Sequence, residues 1–322
     1  MAENLDFKLR LKITLMCCGG KMYDILIIGT GPAGLTVALY AARYNLKTLC
    51  LGATLGGTAA EAWKVENFPG FSSISGLEFC QKVKSQAETA GAEIMLDEVT
   101  KISQEKSIFS VETKNEKNFQ SRAIVLALGT QRRKLGVKGE EEFLGKGVAY
   151  CVTCDAVFFK GKTVAMVGGG DSAIKGAMLL AQYAKKVYLM VRGAELQSEP
   201  KNIEAIKQNQ KMEIIYNTEI AEILGQQKVS GVLLKNGQKI DLDGVFIEIG
   251  GVPPSALAKN LQVDLDDAGY IKVDQFQKTN IPRIFAAGDI TNLFAGFKQI
   301  VAAASQGAVA AFSAYQDLKK NP

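Results

Sequence analysis

The chain has 322 residues, of which 47% are hydrophobic and 22% charged, and its formal net charge is +5. This composition argues against disorder, and the length favours two domains over a single core. The charges are scattered and no apolar run approaches the ~18 residues of a membrane span, so we expect no nucleic-acid binding and no membrane segment. Histidine is absent, which excludes Ser-His-Asp triads and mixed Cys/His zinc sites.

The first 21 residues precede the first recognisable strand. They mix acidic and basic side chains, and their apolar stretch is too short and broken for a signal peptide. We expect residues 1–21 to form a disordered extension. A functional role for the adjacent Cys17 and Cys18 is the alternative.

A strand–turn–helix–strand unit follows the extension. Tyr23–Ile28 is a continuous apolar run, which is typical of a strand buried on both faces of a parallel sheet. The turn GTGPAG occupies 29–34, the apolar-faced helix LTVALYAARYN follows it, and Lys47–Leu51 supplies the next strand. This is the context in which a glycine-rich turn predicts dinucleotide binding.

The glycines of this turn have distinct expected roles. Gly29 permits the tight turn, Gly31 lets the backbone approach a pyrophosphate, and Gly34 allows the helix to pack closely on the strand. The start of the helix offers N–H groups and partial positive charge to the phosphates. A purely structural glycine turn is the alternative.

The same unit recurs further along the chain. Thr163–Val167 is predicted as a strand, GGGDSA at 168–173 as the turn, Ala173–Ala184 as the helix and Lys186–Val191 as the closing strand. Two such units at this separation indicate a duplication on the scale of a domain. Asn236-Gly237 marks a hairpin turn after the second unit.

Domain boundaries follow from breaks in the pattern. The apolar strand Ala123–Leu128 ends in Gly-Thr and the basic stretch QRRK, and GGVPP at 250–254 interrupts a later strand. We therefore predict an α/β protein with two Rossmann-like dinucleotide-binding domains, the second inserted into the first. The first domain comprises residues 1–131 and 251–322, and the inserted domain comprises 132–250.

The segment IFAAGDI at Ile284–Ile290 is an apolar strand that ends in Gly288-Asp289. In many flavoproteins such a strand brings an aspartate to the ribityl chain and phosphates of FAD. The helix FKQIVAAASQGAVAA that follows is rich in small residues and could pack closely under a flavin ring. An ordinary strand end and a tightly packed core helix are the alternatives.

The pair Cys151 and Cys154, in the sequence CVTCD, is the predicted chemical centre. Two cysteines at this spacing form a readily reduced disulfide, and a helix start there would favour the thiolate. Zinc binding is the main alternative function of any such pair, but a zinc site would need a second pair of ligands. The other cysteines, which show no such spacing, are Cys17, Cys18, Cys50 and Cys80. We expect Cys50 and Cys80 to be buried packing residues and predict no metal site.

Asp155 directly follows the cysteine pair. In a chain without histidine, it is the nearest candidate to exchange a proton with a cysteine or a flavin. A solvated or helix-capping aspartate is the alternative.

The motifs GTGPAG, LGGT, VENFPG, CVTCD, GGGDSA and IFAAGD occur in this order. With them the chain resembles the low-molecular-weight thioredoxin reductase family, from Met22 to about Leu318. The set is specific because the CxxCD segment lies just ahead of the second glycine turn, inside the inserted domain.

The resemblance implies a cytoplasmic homodimer that binds FAD and reduces a thioredoxin-like protein. It implies that Cys154 faces the flavin, that Cys151 attacks the disulfide of the partner, that Asp155 is the acid/base, and that the inserted domain rotates. The residues that it assigns to FAD are Gly29, Gly31, Pro32, Ala33, Gly34, Gly52, Gly56, Gly57, Thr58, Asn67, Gly288, Asp289, Lys298, Gln299 and Ile300.

The sequence departs from the family at the nucleotide site of the inserted domain. The family binds the 2′-phosphate of NADPH with a His-Arg-Arg-x-x-x-Arg cluster, where this chain has VRGAELQ and keeps only Arg192. The acidic residue typical of NADH binding is missing as well. The remaining nucleotide candidates are Gly168, Gly170, Asp171, Ser172, Ala173 and Arg192. We predict weak or absent use of NADPH, which leaves ferredoxin or another low-potential donor open.

Two alternatives stay open at this stage. The chain could be a flavoprotein reductase of another acceptor, such as a peroxidase partner or ferredoxin. It could instead be a non-catalytic redox sensor. Lys298, where arginine is common, and Thr58, where glutamine is usual, bear on the potential of the flavin more than on its binding.

Overall fold

The computed structural model describes residues 21–62, 65–294 and 297–320. The chain forms two compact units, one from the residues up to Thr130 together with those from Pro253 onward, and one from Gln131–Val252. The predicted α/β class is confirmed. Cys17, Cys18 and the predicted extension, apart from Lys21, lie outside the described residues. Across the ranges described, none of the helices has the length and apolar character needed to cross a bilayer.

The first unit is built on a mixed sheet to which the described residues contribute seven strands, six of them in the order β3-β2-β1-β6-β5-β4. The last strand, β17, pairs in parallel with the second half of β6. Strands β1, β2, β3, β6 and β17 are parallel, whereas β4 and β5 form antiparallel pairs. The bounds are β1 (Met22–Ile28), β2 (Thr48–Gly52), β3 (Glu93–Leu96), β4 (Val99–Glu105), β5 (Ile108–Thr113), β6 (Asn118–Leu126) and β17 (Ile284–Ala286).

Both faces of this sheet are covered, which explains why its central strand is apolar throughout. Ile25, Leu26 and Ile27 of β1 are all completely buried, although their side chains alternate between the faces. The helices of the unit are α1 (Pro32–Arg43), α2 (Gly76–Thr89), α6 (Ala256–Asn260) and α7 (Ile300–Lys320), with a 3₁₀ helix at Gly57–Glu61. The small residues of α7 let it lie directly against α1, since a Cβ at Gly307 would come within 2.4 Å of the Ala33 carbonyl oxygen.

The second unit has a parallel sheet in the order β11-β10-β9-β15-β8. Its strands are β8 (Val148–Ala149), β9 (Thr163–Val167), β10 (Lys186–Met190), β11 (Met212–Ile215) and β15 (Gly244–Ile247). Its helices are α3 (Val152–Asp155), α4 (Asp171–Tyr183) and α5 (Pro200–Gln208), with a 3₁₀ helix at Ala156–Phe159.

Two smaller antiparallel sheets complete the second unit. One is a three-stranded meander of β12 (Ile220–Gly225), β13 (Val229–Leu234) and β14 (Lys239–Asp241). The other is a ribbon of β7 (Gln131–Arg132) and β16 (Gly251–Val252), at the two ends of the unit.

Each parallel sheet has a point where the strand order reverses. In the first unit the chain moves from β1 to β2 and β3 on one side and returns to β6 on the other. In the second unit β9 is flanked by β10 and β15 in the same way. Ligands of open α/β sheets bind at the carboxyl ends of the strands beside such a point. Each glycine-rich turn lies at one of them.

Candidate functional site

The first glycine turn connects β1 to α1, and two of its glycines are required by packing. Gly29 has a φ of +120°, and a Cβ there would lie 2.0 Å from the carbonyl oxygen of Ala127, just after the neighbouring strand β6. A Cβ at Gly34 would lie 1.8 Å from the carbonyl oxygen of Gly29. Side chains at these positions would separate the helix from the sheet.

Gly31 differs because its surroundings are less crowded. It is the N-cap of α1, which begins at Pro32 and has no side-chain cap. A Cβ at Gly31 would have its nearest neighbour 3.7 Å away, at the carbonyl oxygen of Gly56. The first-turn N–H groups of α1, including those of Ala33 and Gly34, have no partner within the helix. The start of α1 is therefore suited to an anionic group such as a pyrophosphate.

The segment after β2 closes this turn from one side. Gly52 is the last residue of β2, and the N–H of Gly56 donates to the carbonyl oxygen of Thr30 (2.8 Å). Gly57 and Thr58 begin the 3₁₀ helix that follows. The Asn67 side chain, further along the same segment, donates to Gln299 Oε1 (3.0 Å), just ahead of Ile300 at the start of α7.

Asp289 follows β17 at the same edge of the sheet. Gly288 has a φ of +82°, and its N–H donates to the buried Gln306 (2.7 Å), which fixes the turn. Burial raises the pKa of Asp289, and the nearby Lys298 partly offsets this. The Lys298 ammonium donates to the Asp289 carbonyl oxygen (2.8 Å) and lies 3.8 Å from the centroid of the Tyr270 ring.

The chain thus brings its predicted FAD residues together at the carboxyl edge of the sheet in the first unit. A helix start without a side-chain cap, an uncrowded glycine and a partly buried carboxylate are the groups that a pyrophosphate and a ribityl chain require. The residues present therefore fit an FAD.

Cys151 and Cys154 form a disulfide, with their Cα atoms 5.3 Å apart. They follow β8 at the carboxyl edge of the second sheet, where Cys151 is the N-cap of the short helix α3. The backbone N–H of Cys154 donates to the Cys151 sulfur (3.2 Å). Cys154 is exposed and Cys151 is half-buried. The same N–H is positioned to stabilise a thiolate at Cys151 when the bond is reduced.

Asp155 is the last residue of α3, directly after the pair. Its side chain is half-buried, and burial raises the pKa of the carboxyl group. Its backbone N–H donates to the carbonyl oxygen of Cys151 (3.2 Å). Because it is partly buried, the carboxyl group keeps its proton to a higher pH than a solvated aspartate does.

The second glycine turn joins β9 to α4. Gly168 has a φ of +144°, and a Cβ there would lie 2.1 Å from the Glu248 carbonyl oxygen and 2.8 Å from Cβ of the buried Ala173. Gly168 and Ala173 are thus packed against each other. Gly170 is open, with nothing within 4 Å of a Cβ built on it, and Ser172 lies in the exposed first turn of α4.

The carboxylate of Asp171, the first residue of α4, already has hydrogen-bond and ion-pair partners within the unit. Its carboxylate accepts hydrogen bonds from Ser198 (2.5 Å) and Asn202 (3.1 Å) and pairs with Lys175 (2.8 Å). Burial works to raise the pKa of Asp171, but these hydrogen bonds and the Lys175 charge outweigh it and leave the pKa lowered. A carboxylate therefore lies at the start of α4.

The loop after β10 lies over the second glycine turn. The N–H of Gln197 donates to the Gly169 carbonyl oxygen (2.7 Å), and Gly170 and Gln197 form an isolated β-bridge. The exposed Arg192 is the basic residue of this loop, and it is accompanied by the exposed Glu195.

An ion pair at the carboxyl end of β15 was not expected from the sequence. Arg132 donates to Glu248 (2.6 Å), and both side chains are largely buried. Burial raises the pKa of Glu248, and Arg132 opposes the shift. A glutamate within the apolar run VFIEIG was the signal that could have revealed it.

A buried carboxylate, Glu140, was also missed. It is 2% exposed and accepts hydrogen bonds from the N–H groups of Leu135 (2.7 Å) and Gly136 (2.6 Å) and from the hydroxyl group of Tyr150. Because Tyr150 directly precedes Cys151, Glu140 ties the loop after the ribbon to the segment that carries the cysteine pair.

The two other described cysteines lie in cores. Cys50 is in β2 and Cys80 in α2, both completely buried, and burial raises their pKa values to about 12 and about 11. Their prediction as packing residues is confirmed. Over the described ranges, no three His, Cys, Asp or Glu side chains converge in a way that could hold a metal ion.

The sequence matches the pyridine nucleotide-disulphide oxidoreductase family over residues 23–307. The chain belongs to this family. It is 40% identical to a thioredoxin reductase of Listeria monocytogenes over 297 residues, which cover 90% of this chain and 92% of that protein. Among solved structures, the thioredoxin reductase of Lactococcus lactis has a TM-score of 0.89 at 34% identity, covering 92% of this chain and 99% of that one. A ferredoxin-flavin thioredoxin reductase of Clostridium acetobutylicum has a TM-score of 0.51 at 34% identity, covering 94% and 99%.

These comparisons confirm the resemblance to low-molecular-weight thioredoxin reductases and the two Rossmann-like folds. This chain is a flavin-dependent disulfide reductase of the thioredoxin reductase type, and Cys151–Cys154 is its redox-active disulfide. Proteins of this family use FAD, with NADPH as the usual electron donor.

Proposed function

We propose that this reductase passes electrons from FAD in the first unit through Cys151 and Cys154 to a thioredoxin-like protein disulfide. The observation that carries the proposal is the exposed disulfide at the start of α3, whose Cys151 sulfur accepts the N–H of Cys154. The assignment of FAD to the first unit and of the cysteine pair to the second is part of the proposal.

The first unit holds the cofactor with backbone and a few polar side chains. The N–H groups at the start of α1 bind the pyrophosphate, and Gly31 gives the backbone its close approach. Asp289, Asn67 and Gln299 orient the remainder. When bound, FAD supplies two electrons to the disulfide.

The second unit carries out the exchange. The Cys151 thiolate attacks one sulfur of the partner's disulfide and releases the other as a thiolate, which takes up a proton. Cys154 then attacks Cys151 in the mixed disulfide, so that the Cys151–Cys154 bond forms and the partner leaves as a dithiol. Two electrons pass to the partner, and no further reactant is needed.

Asp155 is proposed as the acid that protonates a departing thiolate. Its carboxyl group adjoins the pair, and burial raises its pKa, so that it keeps its proton to a higher pH than a solvated aspartate does. As the pH rises through that pKa, the acid form is lost and the rate falls.

Replacing Asp155 by asparagine should slow disulfide exchange by about 10²-fold, because a positioned proton donor typically contributes this much. The measurement is the pH profile of thioredoxin reduction by the pre-reduced enzyme. The wild type should show a limb that descends with pH, and this limb should be missing in D155N. A descending limb that persists in D155N, with flavin absorbance unchanged, would refute the role.

NADPH is proposed to be a poor electron donor. In the family pattern, the positions of Gly193 and Gln197 carry arginines that hold the 2′-phosphate. Each lost charge-assisted hydrogen bond costs roughly 1.5–3 kcal/mol. The loss of two corresponds to about 10²–10⁴ in affinity. The carboxylates of Asp171 and Glu195 beside the turn also lower the affinity for NADPH, because they repel its 2′-phosphate. The name of the Clostridium acetobutylicum neighbour supports ferredoxin as the donor.

An anaerobic titration of the yellow protein tests the donor. We expect NADPH at about 0.1 mM, a usual range for KM, to leave the flavin oxidised. Reduced ferredoxin should bleach it, and dithionite serves as the control for a competent flavin. The double variant G193R/Q197R should gain reduction by NADPH. Rapid bleaching of the wild type at micromolar NADPH would contradict the proposal.

A homodimer and a cytoplasmic location are proposed on the family resemblance. Light scattering of the purified protein and fractionation of the source cells test them.

A further inference from the structure

A buried carboxylate is bonded to the segment that carries the cysteine pair. Glu140 is 2% exposed, and both of its carboxylate oxygens accept hydrogen bonds. Oε1 accepts the N–H of Leu135 (2.7 Å) and the hydroxyl group of Tyr150, and Oε2 accepts the N–H of Gly136 (2.6 Å). A carboxylate is costly to bury unless it is hydrogen-bonded in this way. The Tyr150 hydroxyl therefore donates to an acceptor that is itself fixed.

The loop that carries Glu140 is held against the three-stranded meander. The N–H of Ile223 in β12 donates to the carbonyl oxygen of Lys138 (2.9 Å). Gly139 has a φ of +86°, and a Cβ there would lie 2.2 Å from the Ile223 carbonyl oxygen, so the close approach of the two backbones requires glycine. Phe143, just after Glu140, is 3% exposed in the core of the unit. Glu140 thus projects from a loop with backbone and core contacts on both sides of it.

The segment around Cys151 has little regular structure of its own. The strand β8 has two residues, which pair with β15, and α3 is a single turn. Only Tyr150 and Cys151 link the two elements. A helix of one turn is not stable alone, because its nucleation costs more conformational entropy than its hydrogen bonds return. Tertiary contacts must therefore fix this segment, and the buried Val152 supplies one of them after Cys151.

Tyr150 supplies such a contact directly before Cys151. Its half-buried ring packs against the apolar core of the second unit, and its hydroxyl group donates to Glu140. Burial raises the pKa of Tyr150, and the hydrogen bond to Glu140 raises it further, while the charges of Glu141 and Arg132 act in opposite directions. The hydroxyl group consequently keeps its proton over the pH range in which thiols ionise, and the hydrogen bond keeps its donor.

We propose that Glu140 and Tyr150 are positioning residues for the attacking sulfur of Cys151. The hydrogen bond between their side chains fixes the backbone directly before Cys151. It thereby keeps the Cys151 sulfur where it accepts the N–H of Cys154 (3.2 Å). That N–H stabilises the thiolate, which is the nucleophilic form. The inference rests on the proposed function, in which Cys151 makes the attack, and neither positioning residue takes part in the exchange itself.

Alkylation of Cys151 measures this nucleophile without electron donor or partner. The full-length flavoprotein carries Cys154→Ser, so that the pair cannot form its disulfide while the backbone N–H at position 154 is retained. It is mixed with iodoacetamide at a series of pH values, and mass spectrometry follows the peptide that contains Cys151. The rate against pH gives two quantities, the midpoint of the profile and the limiting rate at high pH.

Adding Y150F to this protein should move the midpoint to higher pH. A hydrogen bond to a charged group is worth about a factor of ten in an equilibrium, so the thiolate population below the midpoint should fall about tenfold. A more basic thiolate is a better nucleophile, which leaves a rate about threefold lower there. At high pH, where the thiol is fully ionised, the rate should be no lower than that of the parent protein. The two profiles should therefore cross.

The matched control is Tyr188→Phe. Tyr188 lies in β10 and packs against the same core as Tyr150, but β10 does not lead to the cysteine pair. Its loss of a hydroxyl group is the same chemical change and should leave the profile of Cys151 where it was.

Glu140→Gln examines the acceptor of the same hydrogen bond. The amide is a neutral acceptor, and its NH₂ group would face the N–H of Gly136, so E140Q should shift the midpoint in the same direction as Y150F. The double variant Y150F/E140Q should shift it no further than the larger single shift, because both changes break one interaction.

The outcomes separate this inference from the function on which it rests. An unchanged midpoint in Y150F would overturn the positioning role, and so would an equal shift in Y188F or additive shifts in the double variant. A rate that is lower by the same factor at every pH would also overturn it, since access to the sulfur would then have changed rather than its ionisation. If Cys151 of the parent protein reacts no faster than free cysteine below neutral pH, it is not an activated nucleophile, and the proposed attack fails as well.

Discussion

Replacing Cys154 by serine is expected to abolish turnover of thioredoxin while the protein remains yellow. Cys151 can still attack the partner's disulfide, but no second sulfur is present to release it. The reductase should accumulate as a covalent adduct after one attack, with steady-state activity reduced by at least about 10³-fold. Intact-mass measurement of the pre-reduced C154S variant mixed with oxidised thioredoxin detects the adduct.

The variant Cys151→Ser is the matched control for this experiment. It is equally inactive in turnover, but it should form far less adduct, because the attack is assigned to the Cys151 thiolate, which the Cys154 N–H is positioned to stabilise, and the remaining Cys154 thiol has no such donor among the hydrogen bonds described. An adduct on C151S and none on C154S would reverse the assigned roles. Activity retained by C154S would refute the exchange scheme altogether.

Replacing Gly34 by alanine should give a protein without flavin. The added Cβ would lie 1.8 Å from the carbonyl oxygen of Gly29, which belongs to the turn itself and cannot move aside as a side chain could. Relief requires the start of α1 to shift away from β1, at a cost of about 3 kcal/mol, the upper end of what overpacking typically costs. Flavin absorbance per protein and the thermal unfolding temperature measure the loss.

The control for G34A is Gly170→Ala. Gly170 belongs to the second glycine turn, is not in the left-handed region, and has nothing within 4 Å of an added Cβ. This variant should unfold within a few degrees of the wild type and retain its flavin. If G34A bound flavin normally, the packing argument for the turn would be wrong.

The strands of the two Rossmann-like folds could be predicted from the sequence. Parallel strands are buried on both faces, so their sequences are continuous apolar runs. The run Tyr23–Ile28 became β1 (Met22–Ile28), and Thr163–Val167 was predicted with both of its ends correct. The hairpin turn at Asn236-Gly237 is confirmed, with Gly237 at a φ of +88°. Helix starts were less accurate: α1 begins at Pro32 and α4 at Asp171, both inside the glycine motifs, because the first turn of a helix needs no apolar periodicity.

Contacts between distant side chains could not be predicted in the same way. The partners Arg132 and Glu248 are far apart in the chain, and only the folded sheet brings them within 2.6 Å. The burial of Glu140 depends on the loop that donates its own N–H groups to the carboxylate. A single sequence identifies the residue types, whereas the conformation of the loops determines which side chains come into contact.

The strand β6 has a consequence for biosynthesis. Its first half pairs with β5, whereas its second half pairs with β17, a strand some 160 residues later. The whole of Gln131–Val252 lies between them in the chain. During synthesis, all described strands of Gln131–Val252 leave the ribosome before β17, which is the last described strand of the surrounding sheet. The cysteine-bearing unit can therefore fold first, and the surrounding sheet is completed only after β17 has emerged.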